Sequence, residues 1–345
     1  MRKSAKIYYR QLRHVTRVRL NFTRNCLILR KLRARLKRES PKRRVVAVML
    51  LEHLGDIVAC EPVVRHIRKK YPDAFIVWGV KKAYRELVDN NPHIDLTILI
   101  HCLTERLMLS NSGLFDEVID LHFADRHCSL CRRPLKKEHN SSKIDLKNYF
   151  QYGSLLSSMA QSGGWPALDD QPMVYIPEST VRKVDNLKLP EKFVVINCTS
   201  NALEKGWPSE KWIHLLAKIK ETYGLHVFEI GTETFLDESL SLSQSFCVKL
   251  SILESAELIR RSKLFIGIDS GPAHLANAVK TAGVILMGSY LGFEKYNPFS
   301  GFYGGGEGAE ILHSKGMAAD ISVDNAFSAV KKILDHVVVG SARAF

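Results

Sequence analysis

Residues 265–278 read FIGIDSGPAHLANA, and this stretch decides the fold of the chain. It opens with an apolar strand, continues through a Ser-Gly-Pro turn and ends in the pattern of a first helical turn. Free backbone N–H groups and the positive end of the helix dipole meet at such a turn. Asp269, Ser270 and His274 stand around it. The pattern predicts an α/β fold with an anion site where this strand ends.

Apolar strands alternate with helices on both sides of this stretch. Strands are predicted over residues 45–51, 74–80, 96–101, 117–121, 193–198, 226–230, 265–268 and 284–287. Helices are predicted over residues 56–70, 83–90, 143–161, 208–223, 256–262, 274–279 and 325–338. Such alternation indicates parallel sheets with right-handed crossovers. Residues 122–142 and 301–308 read as loops, the second of them mobile, and Pro166, Pro172 and Pro177 mark a passage between two α/β halves.

The positive charge of the chain is concentrated at its N-terminus. Residues 1–44 hold seventeen Lys and Arg and one acid, whereas the remaining residues hold 33 basic and 35 acidic residues. Apolar residues recur in this segment on one face of a helix: Tyr8, Leu12, Val15, Val18, Phe22, Cys26, Leu29, Leu32 and Leu36. A basic amphipathic helix of this kind binds an anionic membrane surface. The alternative is a solvated basic arm that binds nucleic acid without sequence specificity.

Three segments carry motifs that occur together. Residues 269–275 read DSGPAHL, residues 50–58 read LLEHLGDIV and residues 204–212 read EKGWPSEKW. They resemble, respectively, the D-[ST]-G-x-x-H-[LI] signature, the x-x-[LIV]-G-D strand-to-helix motif and the K-x-W-P-x-E-x-W segment of glycosyltransferase family 9, the heptosyltransferases. The resemblance covers roughly residues 45–340 and keeps the family's motif order.

The resemblance implies the GT-B architecture, in which two Rossmann-like parallel-sheet domains face a cleft. The expected divisions are a basic amphipathic tail at 1–44, an acceptor domain at 45–178 and a nucleotide-sugar donor domain at 179–345. One option within this architecture is that the last helix packs back on the acceptor domain. Ligands in open parallel sheets lie beyond the carboxyl ends of the strands, where all three motifs fall.

Asp56 is the candidate catalytic base. It follows Gly55 at a strand-to-helix turn, and the resemblance assigns the matching Asp the removal of a proton from the acceptor hydroxyl. The alternative is that Asp56 caps the helix, and a capping carboxylate is a poor base. Glu52 is the second candidate base. The Glu52-His53 pair stands where the family often has small hydroxyl residues, which leaves the acceptor and the details of proton transfer open.

The candidate ligands of the donor diphosphate are Lys205, Ser200, Asn201, Ser270, Gly271 and His274. The ammonium of Lys205 is a compact charge that suits a phosphate oxygen, and its alternative is a solvated loop lysine. Gly271 and the backbone after it open a helix that favours an anion. The alternative for His274 is a core histidine bonded to a carbonyl.

Glu233 and Asp269 are the candidate ligands of the donor nucleoside. An acid that follows a strand accepts hydrogen bonds from ribose hydroxyls, and the resemblance suggests this role for Glu233, with Glu229 as its rival. Asp269 has a second interpretation, in which it orients the turn without touching the ligand.

Metals and cofactors are not indicated. Cys128 and Cys131, with His127 before and His139 after, have the types of zinc ligands, but one C-x₂-C with a nearby His is a weak signal. Reduced loop cysteines are the alternative, and seven cysteines among apolar neighbours fit a reducing compartment. The sequence carries no dinucleotide fingerprint, no P-loop and no D-x-D pair. We therefore predict no cofactor, no metal ligands and a metal-independent reaction.

The resemblance implies an inverting glycosyltransferase that moves a heptose from ADP-heptose to a lipopolysaccharide core acceptor. It would work at the cytoplasmic face of the inner membrane of a Gram-negative cell, and the chain has neither an apolar membrane span nor a secretory signal. Two alternatives keep the fold: a transferase for another nucleotide sugar with a glycan or protein acceptor, and a catalytically idle, membrane-tethered binding module. A nucleic-acid binder acting through residues 1–44 is the third, although no stacking aromatic module supports it.

Overall fold

The structure is a computed structural model that describes residues 2–124, 126–131, 143–200, 202–289 and 296–340. The chain divides into two compact units, Met1–Leu168 and Asp169–Phe345. Within the described ranges, no helix is both long enough and apolar enough to span a bilayer. The domain divisions expected from the sequence stay a prediction.

The first unit has a four-stranded parallel sheet with helices around it. Its elements in chain order are α1 (Arg2–Glu39), β1 (Val45–Met49), α2 (Leu54–Ala59), α3 (Glu61–Lys70), β2 (Phe75–Val80), α4 (Arg85–Asp89), β3 (Leu96–Leu99), α5 (Leu103–Ser110), β4 (Glu117–Asp120) and α6 (Leu155–Ser162). The strand order is β3-β2-β1-β4. All residues of β1 and β2 are buried, as expected for central parallel strands covered on both faces.

Helix α1 packs into this unit along much of its length. Cys26, Leu29 and Leu36 are buried with the apolar side chains of β1 and β2 in one cluster. Asn21 and Asn25 donate hydrogen bonds to the carbonyl of Leu99, at 2.7 and 3.0 Å, and fasten the helix to the end of β3. The C-terminal part of the predicted apolar stripe is therefore core and cannot also face a membrane.

The N-terminal part of α1 has a different surface. Its apolar residues Ile7, Tyr8, Tyr9 and Leu12 are more than half exposed. Residues 6–13 also hold three basic residues. This part of the predicted stripe remains open to solvent.

The second unit has a six-stranded parallel sheet. Its elements in chain order are α7 (Glu178–Asp185), β5 (Phe193–Asn197), α8 (Ser209–Tyr223), β6 (His226–Glu229), β7 (Gln244–Ser245), α9 (Ile252–Arg261), β8 (Leu264–Ile268), α10 (Gly271–Ala278), β9 (Gly283–Met287), α11 (Gly301–Gly304), β10 (Ala309–His313) and α12 (Val323–Gly340). The strand order is β10-β9-β8-β5-β6-β7. Read from the β7 edge and numbered with β5 as strand 1, this is the Rossmann order 3-2-1-4-5-6. Its topological switch point lies between β5 and β8.

The segment 301–308 differs from the mobile loop expected for it. Its first four residues form α11, and Tyr303 is fully buried. The backbone N–H of Tyr303 donates to Asn277 Oδ1 at 3.0 Å, and its hydroxyl donates to the Thr281 carbonyl at 2.8 Å. A glycine-rich composition suggested mobility, but one aromatic anchor fixes the segment. The predicted helix at 143–161 is also shorter, since only α6 forms there.

Candidate functional site

The turn after β1 holds the predicted acid–base residues of the first unit. Asp56 lies in the first turn of α2, and its Oδ2 accepts the backbone N–H of His53 at 2.9 Å. Nδ1 of His53 lies 3.5 Å from the same oxygen. The Asp56 side chain is 17% exposed, so it is reachable from solvent while it makes this capping contact. His53, not Asp56, is the N-cap residue of α2, and Asp56 as the base stays a prediction.

Glu52 is held by two cations. Its carboxylate contacts Lys81 Nζ and accepts a hydrogen bond of 2.8 Å from Arg126 Nη2. Burial raises the pKa of Glu52, but the hydrogen bond and charge of Lys81, together with the charges of Arg126 and His53, bring it below its ordinary value. A carboxylate stabilised in its charged form accepts a proton poorly. Glu52 is thus a weaker candidate base than Asp56.

A buried polar triad supports this turn, and the sequence did not reveal it. Arg106 donates to Asp120 Oδ1 at 2.9 Å, and Nδ1 of His122 lies 3.0 Å from the same oxygen. Nε2 of His122 accepts the backbone N–H of Leu51 at 3.2 Å. Burial, with the charge of Arg106, lowers the pKa of His122 to about 4, so this imidazole is neutral at pH 7. The triad ties the end of β4 to the turn after β1, at the switch point of the first sheet.

Lys205 and Asp269 form an ion pair in the second unit. Lys205 Nζ lies 2.6 Å from Asp269 Oδ2, and the two side chains are 24% and 15% exposed. Lys205 ends a short 3-10 turn, Leu203–Lys205, and Asp269 follows β8 directly. The structure therefore brings together two residues that the sequence assigned to different parts of the donor.

The lysine loop is anchored by its tryptophan. Trp207 is buried, and its Nε1 donates to the Ile321 carbonyl at 2.9 Å. Lys211 Nζ donates to the carbonyls of Ala319 and Ile321, at 2.6 and 2.9 Å. In the K-x-W-P segment, the Trp and the second Lys thus have structural roles, and they hold Lys205 next to the end of β8.

Ser270 and Asn197 join three strand ends. The Ser270 hydroxyl donates to Asn197 Oδ1 at 2.8 Å, and Asn197 Nδ2 donates to the Ile230 carbonyl at 2.9 Å. Asn197 is the last residue of β5, Ser270 follows β8 and Ile230 follows β6. Sequence reasoning missed Asn197, because a lone Asn at the end of an apolar strand carries no local signal. The network stiffens the switch point where nucleotides bind in Rossmann sheets.

Gly271 and His274 lie in the first turn of α10. Gly271 is the first residue of the helix, and Pro follows it. His274 is 4% exposed, and its ring centroid lies 4.7 Å from that of Phe299. Its burial favours the core interpretation over direct contact with a phosphate, although its role as a ligand stays a prediction.

The remaining predicted donor residues have local contacts. The Ser200 hydroxyl accepts the N–H of Ala202 at 3.0 Å in a short turn, and Asn201 lies outside the described residues. Glu229 is buried and accepts the backbone N–H groups of Phe235 and Leu236, at 2.9 and 3.4 Å. Since Glu229 holds the loop after β6, the exposed Glu233 on that loop is the better candidate for ribose.

Comparisons with known proteins agree with this architecture. A family model described as "Glycosyltransferase family 9 (heptosyltransferase)" matches residues 155–290. Lipopolysaccharide heptosyltransferase 3 of Escherichia coli K12 is 22% identical over 278 residues, which are 69% of this chain and 81% of that protein. The crystal structure of a family 9 glycosyltransferase from Veillonella parvula has a TM-score of 0.65 at 19% identity, covering 84% of this chain and 97% of that one.

A further solved structure is that of the E. coli heptosyltransferase WaaC with ADP-2-deoxy-2-fluoro heptose. It has a TM-score of 0.56 at 12% identity and covers 84% of this chain and 99% of that chain. These similarities show a fold of GT-B type, with two Rossmann-like parallel-sheet units. The family 9 model matches the part of the chain that carries two of the three motifs, at residues 204–212 and 269–275.

Proposed function

We propose that this glycosyltransferase moves a heptose from ADP-heptose to a lipopolysaccharide core-type acceptor in an inverting, metal-independent reaction. The observation that carries the proposal is the Lys205–Asp269 pair at the switch point of the second sheet. Two similar proteins support the sugar: one is lipopolysaccharide heptosyltransferase 3, and WaaC was solved with ADP-2-deoxy-2-fluoro heptose.

The proposed chemistry begins at Asp56. Its carboxylate takes the proton of the acceptor hydroxyl while that oxygen attacks the anomeric carbon of the donor. The bond between this carbon and the diphosphate oxygen breaks, its electron pair stays on the diphosphate, and the anomeric configuration inverts. Attack by one hydroxyl in a single displacement needs one base and no covalent enzyme intermediate.

The departing diphosphate is proposed to replace Asp269 as the partner of Lys205. Its oxygens contact Lys205 Nζ in place of the carboxylate, while Ser270 and the first N–H groups of α10 contribute hydrogen bonds. Asp269 then orients the turn, and Glu233 contacts the ribose. Removing one hydrogen-bond donor from a site that stabilises a developing anion costs about 10²–10³ in rate.

A thermal-unfolding panel tests the donor assignment. We expect ADP and ADP-heptose, at about 100 times their dissociation constants, to stabilise the protein by about 2.7 kcal/mol, and UDP, GDP and CMP at the same concentrations to stabilise it less. Lys205→Ala should remove most of the shift, whereas Lys192→Ala, at an exposed lysine of the same unit, should retain it. If only another nucleotide raises the unfolding temperature, the donor is a sugar carried by that nucleotide and not ADP-heptose. An ADP shift that Lys205→Ala leaves intact would contradict the diphosphate role.

We also propose that the exposed N-terminal part of α1 contacts an anionic membrane. Ile7, Tyr8, Tyr9 and Leu12 offer apolar area among basic residues, and each well-placed Lys or Arg contributes about 1 kcal/mol at such a surface. Co-sedimentation with phosphatidylserine vesicles should fall in a Tyr8→Ser, Tyr9→Ser variant. Equal binding by the variant would contradict this contact.

A further inference from the structure

Four side chains with metal-ligating atoms converge in the first unit. His14 lies on α1, Cys102 is the residue before α5, and Cys128 and Cys131 lie on the segment 126–131 after β4. One ligand atom from each lies within 4.8 Å of those of the other three. The three segments are far apart in sequence, so only the fold brings these atoms together.

The distances within this cluster match a tetrahedral site. With Zn–S bonds of about 2.3 Å and a Zn–N bond of about 2.0–2.1 Å, tetrahedral angles put two sulfurs about 3.8 Å apart and a sulfur about 3.6 Å from a nitrogen. Sγ of Cys102 lies 3.9 Å from Sγ of Cys131, and Sγ of Cys128 lies 3.4 Å from Nε2 of His14. A disulfide would need about 2.05 Å. The spacing fits ligands around one ion better than a bond between two cysteines.

The chemistry of the donors selects the ion. Three sulfurs and one imidazole nitrogen suit Zn²⁺, whereas Mg²⁺ and Ca²⁺ prefer oxygen ligands. A neutral imidazole is ready to coordinate, and a bound divalent cation deprotonates a coordinating thiol.

The charge around such an ion is nearly balanced. Three thiolates, one neutral imidazole and a divalent cation leave a single negative charge. Arg17 lies three residues after His14 on α1, on the same side of the helix, and its positive charge offsets part of it.

We propose that His14, Cys102, Cys128 and Cys131 bind one structural Zn²⁺ ion. The ion joins α1 to the residue before α5 and to the segment 126–131. Arg126 lies on that segment and donates to Glu52 Oε1 at 2.8 Å. The ion therefore fixes the segment from which Arg126 reaches the turn that carries Asp56. The proposed sugar-transfer step makes no use of this ion.

The sequence pointed to half of this ligand set. It singled out the C-x₂-C pair but paired it with His127 and His139. His127 is exposed, and His139 lies outside the described residues. The other two ligands come instead from positions 14 and 102, and their separation along the chain explains why we predicted no metal from the spacing alone.

Metal analysis of the untagged full-length chain tests the proposal. We expect inductively coupled plasma mass spectrometry to find one zinc per chain, and this zinc should remain after dialysis. The zinc content should be close to zero in Cys128→Ser and His14→Ala. His14→Cys supplies another ligand and should retain zinc. The matched control is Cys26→Ser, a buried cysteine on the same helix α1, which should keep the full zinc content.

A second measurement avoids dependence on how the variants fold. Exchange of the wild-type protein with Co²⁺ should produce the sulfur-to-cobalt charge-transfer absorption of a thiolate site. Wild-type protein that binds neither Zn²⁺ nor Co²⁺ would overturn the proposal. Full zinc retention by a folded Cys128→Ser variant, or stoichiometric iron in place of zinc, would overturn it as well.

Discussion

Lys205 and Asp269 form one ion pair, although the sequence predicted Lys205 as a ligand of the diphosphate and Asp269 as a ligand of the nucleoside. Each side chain is mostly buried, and each neutralises the other at 2.6 Å. A partly buried charge is costly when its partner is lost, so a diphosphate that takes Lys205 must also leave Asp269 with hydrogen-bond donors. Asp269 follows β8 directly, next to the first N–H groups of α10, which are donors of this kind.

Asp56→Asn is the most informative single substitution. We expect kcat to fall by about 10²–10⁴ because the amide cannot accept the acceptor's proton, while the affinity for ADP-heptose is unchanged. The Asn side chain can still accept the His53 N–H, so the fold should persist. Initial rates and donor titrations measure the two effects separately.

The control for this prediction is Glu52→Gln. It removes the charge that Lys81 and Arg126 share, and we expect a lower stability together with a smaller loss of kcat than in Asp56→Asn. If Glu52→Gln loses more activity than Asp56→Asn at equal folding, the base is Glu52.

Helix α1 illustrates what a hydrophobic pattern does and does not specify. The sequence predicts a helix with one apolar stripe, and that helix forms. The same periodicity fits a membrane surface and a protein core equally, and only the sheet beneath it decides between them. Along this helix the choice changes with position: Leu29 and Leu36 are core, whereas Tyr8 and Leu12 are exposed.

Two matched substitutions on α1 measure this difference. Leu29→Ala should lower the free energy of unfolding by about 2–5 kcal/mol, because Leu29 is fully buried in the core. Leu20→Ala, the same change at a position that is 68% exposed, should alter it by less than about 0.5 kcal/mol. Urea unfolding of both variants compares them. Equal effects would mean that α1 does not pack on the sheet as described.

The strands differ in how readily the sequence predicts them. Central strands such as β1, β5 and β8 are buried on both faces and read as continuous apolar runs, which is why their positions were predicted within a residue or two. Edge strand β10 was missed because it is partly exposed, and β7 was missed because it has only two residues. Helix α7 was missed too, since its apolar face is limited to a few residues.

The candidate site was predictable in part for a similar reason. Asp56, Lys205 and Ser270 belong to continuous motifs, so neighbouring residues identify them. Asn197 and His122 act through partners more than 70 residues away, and only the folded sheets bring those partners close.

At the scale of the whole molecule, both sheets follow the same rule. Each places its first strand next to the fourth in order, and each has its polar residues at that switch point: the His122 triad in the first unit and the Asn197 network in the second. The fold therefore creates the same kind of crevice twice, and the residues that fill it distinguish the two units.

The pH dependence of stability should carry a signature of His122. Above its ordinary pKa of about 6.5 the imidazole is neutral in the folded and unfolded chain, and its contribution is fully present. As the pH falls towards about 4, His122 binds a proton in the unfolded chain but stays neutral in the folded protein. We expect a loss of about 2 kcal/mol between pH 8 and pH 5 from this residue.

Denaturant unfolding at pH 8 and pH 5 measures this effect. His122→Gln should be less stable at pH 8 and lose less on acidification, while His226→Gln, at an exposed position in the second unit, should follow the wild type. An unchanged pH dependence in His122→Gln would show that other groups govern it.

The measurement that tests the central claim most directly is sugar transfer itself. The purified wild-type chain is incubated with ADP-heptose and a heptose-deficient lipopolysaccharide core acceptor, and the products are analysed by mass spectrometry. We predict an acceptor heavier by one heptose, one ADP released for each transfer, and product formation slower by about 10²–10⁴ with Asp56→Asn. An unmodified acceptor with ADP-heptose, together with transfer from a different nucleotide sugar or from none, would contradict the heptosyltransferase account.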